Sequence, residues 1–335
     1  MADRTAQPNP DDGDILVVSH LKKHFGSHGK LFAKNTNPVR AVDDVSFSIK
    51  RGTTMGLVGE SGCGKTTIGR SIMKLHEITG GSILFNGTDL ATVHGRALRK
   101  MRPHLQMVFQ DPYSSLPPRM PVGEIIGEAA RVHKIVSKSG FKQYVMRIMA
   151  QCGLQPQHFS RYPHEFSGGQ RQRICIARAV AMQPELIICD EPVSALDVSI
   201  QAQIINLMKD LQNENGYTYL FISHDLSVVK HISDTIGVMY LGNLVETGSK
   251  DRIFNNPMHP YTKALLSAVP TSDPDSRAER IILEGDIPSP ANPPSGCKFS
   301  TRCRECTDKC RETEPELIDY GDGHFAACHL YPRPQ

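Results

Sequence analysis

Short apolar runs alternate along the chain with segments whose apolar residues recur every three or four positions. Residues 15–19, 45–49 and 83–85 are β-rich runs bounded by polar positions, which predicts strands. Residues 53–58 read as a buried strand running into a glycine-rich loop, and residues 66–75 as the helix that follows it. Residues 124–135 and 142–152 carry apolar side chains at helical spacing. A further helix is predicted over 170–182, stopping before Pro184. Two short apolar strands, 186–189 and 219–223, flank a helix over 200–212. Alternation of this kind implies an α/β layer built on a parallel sheet.

Punctuation sets the boundaries. Residues 1–14 are rich in Pro, Asp, Asn and Gly and read as a disordered tail. Prolines at 270, 274, 288, 290, 293 and 294 mark residues 270–295 as linker and loop. No internal repeat is present. Composition narrows the function classes. A net charge of +3 without a Lys/Arg run gives no footprint for a nucleic-acid partner. No apolar stretch approaches the roughly 18 residues that span a bilayer, and no secretory segment opens the chain. The expectation is a cytosolic protein whose membrane role, if it has one, comes through partners.

The chemistry concentrates in three places. Gly59, Glu60, Ser61, Gly62, Cys63, Gly64, Lys65 and Thr66 fit G-x-x-x-x-G-K-[ST] without departure. Glycines there let backbone N–H groups surround phosphate oxygens, and the next helix presents its positive end to the same anion. Lys65 adds a full charge, worth roughly 4 kcal/mol per unit-charge pair at about 4 Å and an effective dielectric of about 20, before desolvation. Thr66 offers a hydroxyl to Mg²⁺, and Thr67 a further donor. The competing reading, a glycine-rich turn matched by chance, fits poorly between a strand and a helix.

The second place is the strand end Asp190–Glu191. Asp190 is positioned to face Mg²⁺ through water. Glu191 is placed to act as general base on the attacking water. Alone, the pair reads as a solvated acidic turn; beside a phosphate loop it reads as catalytic. The third place is residues 166–173, Phe-Ser-Gly-Gly-Gln-Arg-Gln-Arg. Ser167 can cap a helix, and Gly168 and Gly169 permit close approach of another molecule. The chain thus holds two anion-suited helix starts and one phosphate lysine. An ordinary capped helix is the plainer reading of the second.

The order of these motifs, with Gln110, Ser194-Ala195-Leu196-Asp197 and His224, resembles the nucleotide-binding subunits of ABC transporters from about residue 15 to 248. The resemblance implies a P-loop NTPase with a RecA-like core, an antiparallel β subdomain and an α-helical subdomain at about 110–170. The nucleotide-binding domain would span 15–255 and a C-terminal extension 256–335. It further implies that Phe25 stacks on adenine and that ATP is held by Gly59, Ser61, Gly62, Cys63, Gly64, Lys65, Thr66, Thr67 and Gln110. Gln110 would join Thr66 and Asp190 at Mg²⁺. Ser167, Gly168, Gly169 and Gln170 would form the signature motif, acting on ATP held by the opposite subunit. Ser194 to Asp197 would form the D-loop at the dimer interface, and His224 would contact the γ-phosphate with Lys65 and Glu191 as catalytic partners. Phe166 stands where the family usually has Leu.

Past residue 250, residues 256–270 resemble a segment of the oligopeptide, dipeptide and nickel import group. Residues 110–119 resemble that group's Q-loop, with Pro117 where Asn is usual. Dipeptide importers are the nearest likeness. This implies a second, unlike ATPase subunit, two multi-spanning permease subunits, an extracellular or periplasmic solute-binding protein, no nucleic acid, and a place on the cytoplasmic face of the inner membrane. Nickel or glutathione import are alternatives, as is a soluble non-transport ABC ATPase. A small-molecule kinase would have no use for a second phosphate site. Five cysteines crowd the last forty positions. Cys297, Cys303, Cys310 and Cys328 match the group's four-cysteine pattern and imply a [4Fe–4S] cluster, with Zn²⁺ or free thiols as alternatives. Cys306 is spare in that pattern, although Cys303 and Cys306 alone could chelate. His324 and His329 read as surface histidines, Cys175 and Cys189 as core residues, and Cys63 as a side chain without an evident task.

Overall fold

A computed structural model describes residues 13–26, 37–269 and 280–334. All but the end of the expected N-terminal tail, and residues 270–279 of the expected linker, lie outside the described residues. In chain order the first elements are β1 (Asp14–Phe25), β2 (Val39–Lys50), β3 (Thr54–Val58), α1 (Lys65–Ile72), β4 (Gly80–Phe85) and β5 (Thr88–Asp89). Then come α2 (Gly95–Met101), β6 (Leu105–Val108), α3 (Pro112–Ser115), α4 (Val122–Val132), α5 (Phe141–Gln151) and α6 (Gly168–Val180). β7 (Leu186–Asp190), α7 (Val198–Asn215), β8 (Thr218–Ser223) and α8 (Leu226–Ile232) follow. The chain ends with β9 (Thr235–Tyr240), β10 (Asn243–Ser249), α9 (Lys250–Asn255), α10 (Pro260–Ser267), α11 (Asp308–Glu312), β11 (Ile318–Asp319) and β12 (Phe325–Ala326).

The chain forms two compact units. Of the described residues, one gathers 13–26, 37–50, 55–91, 224–269 and 280–334; the other gathers 51–54 and 92–223. In the first, β1 pairs antiparallel with β2 and β4 in the order β2-β1-β4-β5. The run 15–19 predicted from sequence is the buried core of a longer strand. Lys22, Lys23 and His24 continue it past register shifts that break the alternation a strand shows to the eye. The same unit orders β11-β12-β10-β9-β3, with β3 parallel to β9. β9 and β10 form a hairpin across Leu241 and Gly242, both at positive φ, as a two-residue primed turn requires. Every residue of β3 is buried, which fits a strand covered on both faces.

In the second unit β6, β7 and β8 are parallel, in register at Met107↔Ile188 and Ile187↔Tyr219. β7 and β8 are buried throughout, so their apolar runs carry no alternation. α4, α5 and α6 pack on one another beside this sheet. α4 begins at Val122, two residues before the predicted start, because Pro121 occupies the cap and fixes the entry.

Candidate active site

In the first unit, β3 delivers the chain into residues 59–64. Gly59, Gly62 and Gly64 take φ of +152°, +81° and +110°. A Cβ on Gly59 would lie 2.2 Å from the Met239 carbonyl oxygen, and one on Gly64 2.1 Å from that of Ala41. Glycine is required there by conformation and by space. Gly64 occupies the N-cap of α1 and has no side chain to offer the helix start. Lys65 is 4% exposed; its Nζ donates to the carbonyls of Gly59 (2.6 Å) and Glu60 (3.0 Å) and reaches the Cys63 sulfur at 3.7 Å. Cys63 therefore has a place after all: it is buried beneath the loop as a soft acceptor for the lysine, and burial pushes its thiol up. Ser61 and Gly62 are exposed, Thr66 and Thr67 half-buried. Phe25 closes β1 opposite Val39 of β2, whose Ala41 abuts Gly64, so strand pairing brings the aromatic toward the loop. The Phe25 ring is 37% exposed, meets His76 edge-on at 5.4 Å, and lies under Lys23 Nζ at 4.7 Å. His224 is exposed immediately before α8.

In the second unit, β7 ends at Asp190, which is 1% exposed. Glu191 follows at φ +46°, a conformation uncommon for a residue with a side chain. Its N–H donates to the Ile222 carbonyl at 2.9 Å, which holds the turn. The turn takes Glu191 off the alternation of β7, so Asp190 and Glu191 need not point to opposite faces. Gln110 Nε2 donates to Glu191 Oε2 at 3.1 Å. Two sequence candidates 81 positions apart are thus joined directly. Ser194 Oγ donates to the Glu191 carbonyl at 3.1 Å, and Gln201 Nε2 donates to the carbonyls of Val193 and Leu196. The segment 194–197 is therefore braced from within. Asp197 is exposed at the start of α7, and Val198 beside it is 81% exposed.

Ser167 caps α6. Its Oγ accepts from Gln170 N–H at 3.4 Å, and Gln170 Oε1 accepts from Ser167 N–H at 3.1 Å, a reciprocal capping box. The glycines divide their work. A Cβ on Gly169 would fall 2.5 Å from Ile200 Cγ2 of α7, whereas one on Gly168 would meet only Leu196 at 3.4 Å. Gly169 is therefore required by packing inside the chain, while Gly168 has more room.

Residues 42–194 match the family model described as ABC transporter, and residues 245–310 match that of the oligopeptide/dipeptide transporter C-terminal region. The chain is 53% identical to the oligopeptide transport ATP-binding protein AppF of Bacillus subtilis over 95% of its own length and 97% of that protein. It is an ABC transporter ATPase. The dipeptide transport ATP-binding protein DppF of Escherichia coli is 51% identical, over 94% of this chain and 93% of that one. Among solved structures, cbiO1 from Clostridium perfringens, part of the ABC transporter complex cbiONQ, superimposes with a TM-score of 0.63 at 25% identity, covering 73% of this chain and 92% of that one. The ATP-binding cassette MJ0796 bound to ADP and Pi gives a TM-score of 0.62, over 70% of this chain and 98% of that one, a likeness of fold. The fold is therefore the ABC ATPase cassette with mixed sheets, and ATP with Mg²⁺ is its nucleotide. Among the described residues, no helix is long and apolar enough to cross a membrane.

The C-terminal region of this ABC ATPase departs from one expectation. His324 is not a surface histidine: it is 5% exposed, and its Nε2 lies 2.8 Å from Glu246 Oε1. Glu246 is fully buried on β10 and also accepts from the N–H groups of Met258 and His259. His329 is half-buried on the Thr313 carbonyl. Cys175 and Cys189 are core residues as expected. Burial pushes the Cys297 thiol up to about 12, and neighbouring Cys310, Cys328 and Cys303 add to the effect. Cys303 is pushed up to about 11 by burial, with Cys328 and Cys306 adding to it. The four pattern cysteines are thus within electrostatic reach of one another. Yet no group of three or more His, Cys, Asp or Glu among the described residues is arranged to hold a metal ion.

Proposed function

We propose that this ATPase energises the import of dipeptides or short oligopeptides. The observation that carries the reading is identity above 50% along nearly the whole chain to ATPases whose names specify oligopeptide or dipeptide transport. Gly59, Ser61, Gly62, Cys63, Gly64, Lys65, Thr66 and Thr67 would cradle the phosphates, and Phe25 would stack on adenine. Thr66, Gln110 and Asp190 would hold Mg²⁺. Glu191 would take the proton of the attacking water, poised by the Gln110 amide, and His224 would meet the γ-phosphate. Ser167 to Gln170, with the segment 194–197, would serve a second ATPase subunit, most simply an unlike one. Two permease subunits would hold the pair on the cytoplasmic face of the membrane, and a solute-binding protein would deliver the peptide.

The test is reconstitution with the permease and second ATPase subunits in vesicles. Dipeptide-loaded binding protein should stimulate ATP hydrolysis and labelled dipeptide should accumulate. Stimulation by nickel or glutathione instead would replace the peptide assignment.

The cysteine region supports a second, narrower proposal. Cys297, Cys303, Cys310 and Cys328 match the group's four-cysteine pattern, Cys297 feels the other three electrostatically, and four thiolates suit a [4Fe–4S] cluster, with Zn²⁺ as the alternative. Such a cluster would supply a cross-link of the tail. Protein purified without oxygen should absorb broadly in the visible and contain iron. Colourless protein with stoichiometric zinc would overturn this.

A further inference from the structure

Glu60, the second residue of the phosphate loop, is held at three points. Arg302 grips its carboxylate with both terminal nitrogens, at 2.7 and 3.3 Å. Its N–H donates to the Tyr261 hydroxyl at 2.9 Å. Its carbonyl accepts from Lys65 Nζ. Two of the three holders lie beyond residue 255, in the region that general nucleotide chemistry does not call for. They are well anchored. Arg302 is 7% exposed and Tyr261 fully buried, its ring wedged between Tyr240 at 4.8 Å and Phe299 at 5.3 Å. The Tyr261 N–H donates to the His259 ring, and the His259 N–H donates to buried Glu246, on which His324 also closes. A further approach lies across a cavity of about 290 Å³, where Ile287 to Pro290 face Glu60 to Cys63.

The charge at Glu60 makes this more than a fastening. A carboxylate in a loop built to surround phosphate oxygens opposes the anion it serves. A forked guanidinium cancels it with fixed geometry. The Tyr261 hydroxyl meanwhile takes the N–H of Glu60 and so fixes which backbone donors remain for the anion. We propose that Arg302 and Tyr261 are positioning residues for the phosphate loop, so that the C-terminal region sets this chain's affinity for ATP. The inference rests on the chain being an ATPase.

The test uses the full-length chain for equilibrium binding of Mg-ATP, and the assembled transporter for KM and kcat. Arg302→Ala should weaken ATP binding about tenfold, because it leaves the Glu60 charge uncompensated beside the phosphates. KM should rise in proportion while kcat stays within about twofold, as expected when binding is lost without loss of transition-state contacts. Adding Glu60→Gln should return affinity to within about threefold of wild type, because the offending charge is gone. Tyr261→Phe, which keeps the ring packing, should cost about threefold. Wild-type affinity in Arg302→Ala would overturn the proposal. So would a double variant as weak as Arg302→Ala, since Arg302 would then only pin the tail. If Arg302→Ala does not fold, Arg302→Lys with and without Glu60→Gln decides on the same terms. Failure of the wild-type chain to bind ATP would strike the ATPase assignment itself, and the inference with it.

Discussion

Two glycine-rich helix starts, one before α1 and one before α6, look alike in sequence and are built on opposite principles. The start of α1 has no side-chain cap, three glycines at positive φ and a buried lysine turned onto its own loop carbonyls. The start of α6 satisfies itself through the Ser167–Gln170 box, carries no phosphate lysine, and spends Gly169 on packing against Ile200. The first is a glycine loop with no N-cap side chain, a form suited to an anion. The second is a helix end closed by its own side chains, with more room beside Gly168 than beside Gly169. The Ser167 hydroxyl accepts from Gln170 N–H and donates to Gln170 Oε1 at 3.4 Å, a long bond it could exchange for an outside acceptor. Under the proposed function, that difference would separate holding a nucleotide from sensing one that another subunit holds.

The harshest way to sharpen the comparison removes the chemistry while sparing both helix starts. Glu191→Gln should leave ATP affinity near wild type and lower turnover by roughly 10²–10⁴-fold in the assembled transporter, the range a general base contributes. Wild-type steady-state hydrolysis would remove Glu191 from that role and leave the Gln110 contact as bracing.

Next in size is the contrast between the glycines. Gly64→Ala places a Cβ against the Ala41 carbonyl at a φ of +110°, so it should cost about 1–3 kcal/mol of stability in denaturant titrations and abolish ATP binding. Gly168→Ala meets only an ordinary contact and should change stability by less than about 0.5 kcal/mol, while impairing hydrolysis. Equal structural damage from both would erase the distinction between cradle and sensor. Gly169→Ala belongs with the former, since its Cβ would press on Ile200.

Local pattern disclosed the motifs because each depends on a few neighbouring residues. The phosphate loop, the strand ending in Asp190 and the cap at Ser167 were all legible that way. What escaped depends on distant partners. The full length of β1 is hidden by Lys22 to His24, which read as loop until β2 and β4 are seen on either side. The turn at Glu191 is invisible without Ile222. Cys63 looked idle because its role is to lie under Lys65 Nζ in the folded loop. His324 looked exposed because its partner, Glu246, lies 78 residues away. The packing demand on Gly169 is hidden because Ile200 arrives from another helix.

Acid offers a milder probe of the same contrast. Burial holds His259 down to about 4, in the chain of contacts that supports the α1 start. Its folded pKa lies below the unfolded value, so the unfolded chain takes the proton first. The stabilisation is complete above about pH 6.5 and is lost as pH falls toward 4, by roughly 2 kcal/mol at pH 5. Hydrogen exchange at pH 5 against pH 7, corrected for intrinsic rates, should show α10 and the phosphate loop loosening more than α6. His259→Gln should flatten that dependence. His158, beside Phe166 near the α6 start, is lowered as well, by burial and then by Arg161, so some response there is expected and its size relative to α10 is the informative quantity.

The smallest expected effect bears most directly on what the α6 start is for. Ser167→Ala removes one half of the capping box and should cost about 1 kcal/mol of stability. Ser167→Asp restores a strong acceptor at the cap and should recover that stability, since an acidic group also suits the positive end of a helix. The two variants nonetheless part company in function. A carboxylate cannot donate outward, and its charge repels a phosphate. Ser167→Asp should therefore be as stable as wild type and less active than Ser167→Ala, with the loss falling on the nucleotide whose phosphate lysine belongs to the partner subunit. Measuring denaturation midpoints of the chain beside hydrolysis in an assembly where only the partner's site is competent separates the two roles. If activity simply tracks stability across the three residues, Ser167 is a helix cap and no more, and the likeness of the two glycine-rich starts ends at their composition.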